Sequence, residues 1–426
     1  MSAASVPNDD SFRYNNAGRN RTASLWQIVF LLSTIFGIIA LLAMLLNIVN
    51  GAFGLAAIQN EHDPESLVLK AKEDGLLDDS NVELAALPKE TLIQILKANV
   101  SSGLFRRFER DQSFEARTRE NVYALVLERV VKPQVVETWT LVESLTQRAE
   151  IEAQAANIPN ATLEFRAWVN SAFITSQQAT DPLLAGVRTA ILGSLLTILI
   201  TILVAFPVGV AAAIYLEEYA ADNTVNRIIQ TNINNLAGVP SIIYGMLGLA
   251  IFVRALEPIT SGTVFGAVTD PTTANGRTIL SAGLTLALLI LPLIIINAQE
   301  AIRAVPRSLR YASYGVGGTK WQTVWHHVLP PALPGILTGT ILAISRAIGE
   351  TAPLVVIGAS TFIALDPSGP FSKFTTLPAQ IYQWTARPQD EYRNLAAAAI
   401  LVLLALLLTL NFTAIVLRNR FSRRLS

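Results

Sequence analysis

Arg346 and Glu350 stand four residues apart inside the apolar run Gly335 to Leu365. About a dozen mostly apolar residues flank the pair on either side, enough to cross a hydrocarbon core of roughly 30 Å. Insertion scales put an arginine at that depth at roughly +2.5 to +3.5 kcal/mol, so such a cation points to something anionic that it meets. The spacing places both side chains on one helix face, with the arginine first, the poorer order for an i,i+4 pair. Mutual neutralisation would offset the desolvation only in part. A guanidinium offers planar, bidentate donors and keeps its charge, which suits an oxyanion. Glu350 would hold that side chain in place or repel the anion, and Thr351 follows it on the same pathway. Gly349 and Pro353 permit a bend just beyond, with freed backbone groups facing a cavity.

A second polar break, Asn234-Asn235 followed by Gly238-Val239-Pro240-Ser241, opens another apolar run. One reading is a capped helix start. The other is a gate beside the Arg346 helix, built from Asn235, Pro240 and Ser241. Arg188 suits an interfacial, snorkelling position, with contact to an anion as the alternative. His326 and His327 have no ligand-like third partner in the sequence, and Glu217 and Glu218 read as solvated charges. Absence of cysteine removes disulfides, thiolate metal sites and thiol nucleophiles. No His, Asp or Glu pair recurs at metal-ligand spacing within the apolar runs, which argues against a membrane-embedded enzyme.

The elements that must position these residues are membrane helices. The chain is 51% hydrophobic, 15% charged and formally neutral, the balance of a multi-span membrane protein with no basic cluster suited to nucleic acid. Six runs are long enough to span: Trp26–Val49, Ala185–Ile214, Asn235–Val253, Ile279–Ile296, Gly335–Phe362 and Ala396–Leu417. The first is too long for a cleaved signal and reads as an anchor (26–49) after a short amino-terminal segment (1–25). Arginines and lysines gather in three places: Arg13, Arg19 and Arg21; Arg303, Arg307, Arg310 and Lys320; and Arg418, Arg420, Arg423 and Arg424. An even number of spans puts all three on one side, so the positive-inside rule makes both termini, including the tail 418–426, cytoplasmic. Residues 50–184 then lie outside as a charged, helix-patterned domain with Pro133 as a breaker. The expected fold is all-α and integral to the membrane: six helices, with a helical extracytoplasmic insertion after the first.

Between spans four and five (300–332), Pro306 can start a helix, the glycines can end it, and Trp321 to Val328 can form a second before Pro330. Such a cytoplasmic helix–turn–helix suits a groove on another protein. It suits equally an interfacial helix anchored by Trp321 and Trp325. Gly317-Gly318, followed by Val328-Leu329-Pro330, resembles the coupling loop of importer-type ABC permeases, although Tyr311-Ala312-Ser313 stands where that family has Glu-Ala-Ala. Three further stretches narrow the resemblance to phosphate-import permeases of the PstA type. They are Pro207 to Tyr219, Asn234 to Gly245, and Arg346-Ala347-Ile348-Gly349-Glu350-Thr351-Ala352-Pro353-Leu354.

The resemblance covers about Ala185 to Leu417. It implies that 185–417 forms a type I ABC-importer permease core in a multi-pass inner or plasma membrane protein. Implied partners are a second phosphate permease, an ATP-binding subunit dimer, an extracytoplasmic phosphate-binding protein and the lipid bilayer. Tyr311, Ala312, Ser313, Gly317, Gly318, Leu329 and Pro330 would engage the ATPase, which uses ATP and Mg. Gly315 to Lys320 lacks Walker spacing, so no cofactor is expected on this chain and no catalysis. Alternatives are the same architecture for sulfate or molybdate, and a membrane sensor with an outer ligand-binding domain.

Overall fold

In a bilayer every backbone donor and acceptor must be satisfied internally, so long apolar runs become helices. The computed structural model describes residues 16–73, 83–111, 113–159, 161–267, 275–360, 362–363 and 365–422. Arg13, Arg423 and Arg424 of the orientation argument lie outside these. Helix α1 (Asn16–Ala52) is the anchor, exposed along nearly all its described length and touching the rest only near its end, where Gly51 meets Ala397. The other long helices are α2 (Arg188–Tyr219), α5 (Ile279–Arg303), α7 (Lys320–Gly349) and α10 (Asp390–Ser422). Shorter ones lie between them: α3 (Thr224–Ala237), α4 (Ser241–Ala255), α6 (Arg307–Gly315), α8 (Ala352–Ile357) and α9 (Leu377–Thr385).

Five of these helices are long and apolar enough to cross a membrane, and the bent pair α3–α4 makes a sixth when counted as one span. Central among them is α5, packed by α2, α7, α4 and α3. Its residues Leu286, Ile290 and Ile294 are fully buried against these neighbours. A second apolar cluster ties the ends of α5 and α7 together through Ala298, Ile302, Val305, Val328 and Ile336.

The insertion, expected to be helical, is mostly so but also carries a three-stranded sheet. Strand β1 (Phe53–Asn60) leaves α1 without a linker and pairs antiparallel with β2 (Pro133–Thr138) and β3 (Ala161–Ala167), in the order β2-β1-β3. Helices between β1 and β2 enclose a separate core of Leu67, Leu92, Leu96, Val122 and Val126. Pro133 breaks the helical pattern as expected, and the residue before it, Lys132, has φ 45°. The insertion is seated on the membrane core by Trp168 and Phe173, which pack with Val187, Leu377, Trp384 and Leu395.

Two span boundaries also differ from expectation. The third span does not start as one helix at Asn235. Asn235 occupies the last turn of α3, and the chain turns by 106° before α4 starts at Ser241. The fifth is displaced toward its amino end. Pro330 does not stop the Trp321–Val328 helix, because a wide π-type turn over Val324–Val328 carries it straight into the span. That helix then stops at Gly349, since the ring of Pro353 would clash with the Gly349 carbonyl four residues earlier.

Candidate translocation and coupling sites

Arg346 therefore lies in the last turn of α7 and not midway along a continuous span. A cation there meets the partial negative charge of the helix end, which lowers its cost. Its Nε donates to Glu350 Oε1 at 3.3 Å, so the pair forms, across the end of the helix. The Arg346 side chain is 45% exposed while that of Glu350 is 17% exposed. Glu350 has left the helix (φ −73°, ψ 119°) and Thr351 leads into α8, so the pair marks a break in the membrane helix.

The second polar break sits beside the first. Gly245 of α4 lies so close to α8 that a Cβ there would come within 2.7 Å of Pro353 Cα. One packed unit, α4 on α8, thus joins the turn at Pro240–Ser241 to the turn at Glu350–Thr351. Neither Asn234 nor Asn235 caps a helix start. The cap of α3 is Asn223, which accepts from Asn226, and the Asn235 carbonyl accepts from Gly238. On the uncovered side, Leu342, Arg346 and Gly349 share one face of α7, while α4 presents Ile242, Ile243, Met246 and Leu247. In a bilayer the apolar side chains can meet lipid, whereas the exposed guanidinium is costly there without a polar partner.

At the other end of α7 the loop folds as a helix–turn–helix, as expected. Pro306 precedes α6, and Thr319 forms a capping box with Gln322. The turn depends on its two glycines. Gly317 has φ +87°, a region costly for a side chain, and the Gly318 amide donates to the Ser313 carbonyl at 2.9 Å. Ser313 is buried, with its Oγ 2.8 Å from Thr323 Oγ1. Tyr311 and Ala312 are exposed, whereas Leu329 and Pro330 are half-buried. Tyr311, Val316, Trp321 and Trp325 leave a broad aromatic and apolar face uncovered, with the two tryptophans stacked at 5.5 Å. His326 and His327 are exposed, and no metal-holding cluster occurs among the described residues.

Glu217 and Glu218 correct the reading of solvated charges. Arg303 holds Glu217 through two bonds of 2.9 and 2.6 Å. Arg310 binds Glu218 at 2.6 Å, and both side chains are largely buried, at 15% and 7% exposure. Arg310 also donates to the carbonyls of Val305 and Ile302, so the loop is bolted to the end of α2. Only the run of like charges in each segment hints at this, since pairing across some ninety positions leaves no local pattern.

Asp366 is a second residue that sequence reasoning missed. It accepts from Thr189 at 2.8 Å and Gln177 at 3.1 Å, and pairs with Arg188 at 2.7 Å. Arg188 is thus tethered and not a free snorkeller. Burial alone would raise the Asp366 carboxyl, but the bonds from Thr189, Gln177 and Arg188 outweigh it and hold the group below its ordinary value. A depressed carboxylate contributes stability above its unfolded-state value, and that contribution is lost as pH falls through the folded one. We expect Asp366→Asn to lower the melting temperature at neutral pH and to flatten its dependence on pH below about 4. An unchanged acid slope in melting curves of the purified variant would count against the latch.

Residues 205–426, just over half of the chain, match the family model for binding-protein-dependent transport system inner membrane components. The chain belongs to that family. Among curated relatives it is 35% identical over 240 residues to the phosphate transport system permease protein PstA 1 of Mycobacterium tuberculosis, covering 56% of this chain and 72% of that protein. A probable ABC transporter permease of Bacillus subtilis, YqgI, is 34% identical over 213 residues, 50% of this chain and 66% of the relative. The phosphate permease PstC of Xylella fastidiosa is 34% identical over 255 residues, 57% and 75% of the two chains. The chain therefore spans about two thirds to three quarters of the length of these relatives. It is a PstA-type permease by its matched half, a multi-pass inner membrane transport subunit in a family whose ATP hydrolysis lies in a separate subunit.

Proposed function

We propose that this permease forms, with a second permease, the membrane pathway of an ATP-driven importer of inorganic phosphate. The observation that carries the reading is Arg346: a guanidinium left 45% exposed at a break in a membrane helix, beside the seam that joins two proline turns. Relatives that are phosphate permeases support phosphate as the oxyanion. In this reading an extracytoplasmic binding protein delivers phosphate, and the partner permease closes the wall over Leu342, Arg346 and α4. Two ATPase subunits grip Tyr311, Ala312, Trp321 and Trp325, and they use the ATP and Mg. Both termini are cytoplasmic.

Mechanistically, the turn at Gly317–Gly318 sets the shape of the grip, while the bonds to Glu217 and Glu218 carry its movement to α2. Arg346 offers donors to the anion as the cavity changes side, and Glu350 holds the guanidinium between passages. Net transport needs ATP to bind the closed motor more tightly than the open one, since only differential affinity shifts the equilibrium. Reconstituted transporter given phosphate, sulfate and molybdate together should accumulate phosphate in preference. Equal or preferential uptake of sulfate or molybdate would replace phosphate with that ion. Co-purification with a histidine kinase and no ATPase would favour a sensor.

A further inference from the structure

One cavity of the described chain has no part of Arg346 in its lining. It measures about 940 Å³ and lies in the seam where the insertion meets the membrane core. Four arginines line it: Arg107, Arg129 and Arg166 from the insertion, and Arg188 from the start of α2. Two glutamates share the lining, of which Glu128 pairs with Arg129 at 2.8 Å and Glu120 faces Arg119 at 3.7 Å. Asp366 engages one end of Arg188. Arg107 and Arg166 are left with no carboxylate in salt-bridge range among the described residues, so the lining is net positive.

Arg166 is built into the wall. Its guanidinium lies 5.1 Å from the Trp168 ring centre, and one Nη donates to the Leu183 carbonyl at 2.9 Å. The Nε atoms of both Arg166 and Arg188 are buried with no partner. Burial pushes the Arg166 guanidinium below its ordinary value, and the more distant carboxylates Glu164 and Asp181 offset this only in part. Such donors are costly to leave unmade, and a guanidinium fork matches a phosphate group best. Phe108 and Phe362 add apolar wall, and the volume falls in the range of small-ligand sites.

We propose that this cavity is a binding site for a phosphate group, separate from the translocation contact, with Arg107 and Arg166 as its principal donors. The group is either free inorganic phosphate or the phosphate of a lipid headgroup reaching in at the membrane surface. Because Arg188 of α2 lines the same cavity as the insertion's Arg107 and Arg166, an occupant would touch both the insertion and the membrane core.

The test is calorimetry of the full-length protein in nanodiscs, titrated with inorganic phosphate. In discs of phosphatidylcholine alone, Arg107→Gln should weaken binding about tenfold, the loss expected for a charged hydrogen bond. Arg107→Gln/Arg166→Gln should remove it, with the fold checked by the melting temperature in phosphate-free buffer. Arg166→Lys, which keeps the charge and loses the fork, should fall between. Arg346→Gln should leave this binding intact, so the outer site and the proposed translocation contact fail independently. If the headgroup is the occupant, the same arginine variants should instead lose bound phosphatidylglycerol, measured by native mass spectrometry. Phosphate and phosphatidylglycerol binding that are both absent, or both indifferent to Arg107 and Arg166, would overturn the proposal.

Discussion

Arg346→Gln is expected to cut phosphate uptake by roughly two orders of magnitude, the upper range for losing a charge-assisted contact. Insertion and subunit assembly should be unaffected, because the substitution removes a charge from the membrane and leaves the buried face of α7 unchanged. Arg346→Lys separates the two roles of the side chain. A lysine retains the charge as a point source but cannot present a planar fork, so partial uptake indicates that the field matters and loss indicates direct bidentate contact. Glu350→Gln frees the guanidinium from its partner at 3.3 Å and should change uptake far less than Arg346→Gln. The measurement is radiolabelled phosphate uptake into proteoliposomes, normalised to assembled complex. Near-normal transport by Arg346→Gln would sink the assignment.

Glu218→Ala should be the second severe change. It strands Arg310 in a site where both side chains are largely buried, and breaking such a pair from one side costs roughly 3–5 kcal/mol. The helix–turn–helix would loosen at its root, with loss of uptake and of ATPase co-purification together. A swapped pair, Glu218→Arg with Arg310→Glu, should recover part of the coupling, which a mere packing defect would not do. The Arg303–Glu217 bridge provides the contrast, since its arginine is 61% exposed and exposed pairs contribute roughly 0–1 kcal/mol. Glu217→Ala should therefore be mild. Equal damage from both substitutions would show that charge at this joint, and not burial, sets the effect.

The parts legible in the sequence are those written in local pattern. Apolar run length locates the membrane helices, and Pro306, Gly317, Gly318 and Thr319 announce the helix–turn–helix through residues whose backbone preferences act on their immediate neighbours. The pairing of Arg346 with Glu350 is likewise local. The sheet is hidden because β1 follows the anchor after only Asn50-Gly51-Ala52, and Phe53-Gly-Leu-Ala-Ala-Ile is itself an apolar run with no polar alternation to mark a strand. Its partners β2 and β3 lie at Pro133 and Ala161, among amphipathic helices whose periodicity dominates that region. Long-range pairs are hidden for a different reason. Nothing near Asp366 indicates that its partners are Gln177, Arg188 and Thr189, nor near Glu218 that its partner is Arg310. Arg346 is misplaced when Gly335 to Leu365 is taken as one span. Hydropathy measures composition, and it is blind to the helix stop that Pro353 imposes.

The unbroken course of α7 has a mechanical consequence. Its 30 residues, at about 1.5 Å each, make a shaft of roughly 45 Å with Trp321 at one end and Arg346 near the other. A shaft of that length behaves as a lever: a tilt of about 5° about its midpoint carries each end roughly 2 Å, in opposite directions. A small push on the stacked tryptophans is thereby delivered, reversed in sense, to the guanidinium at the far end.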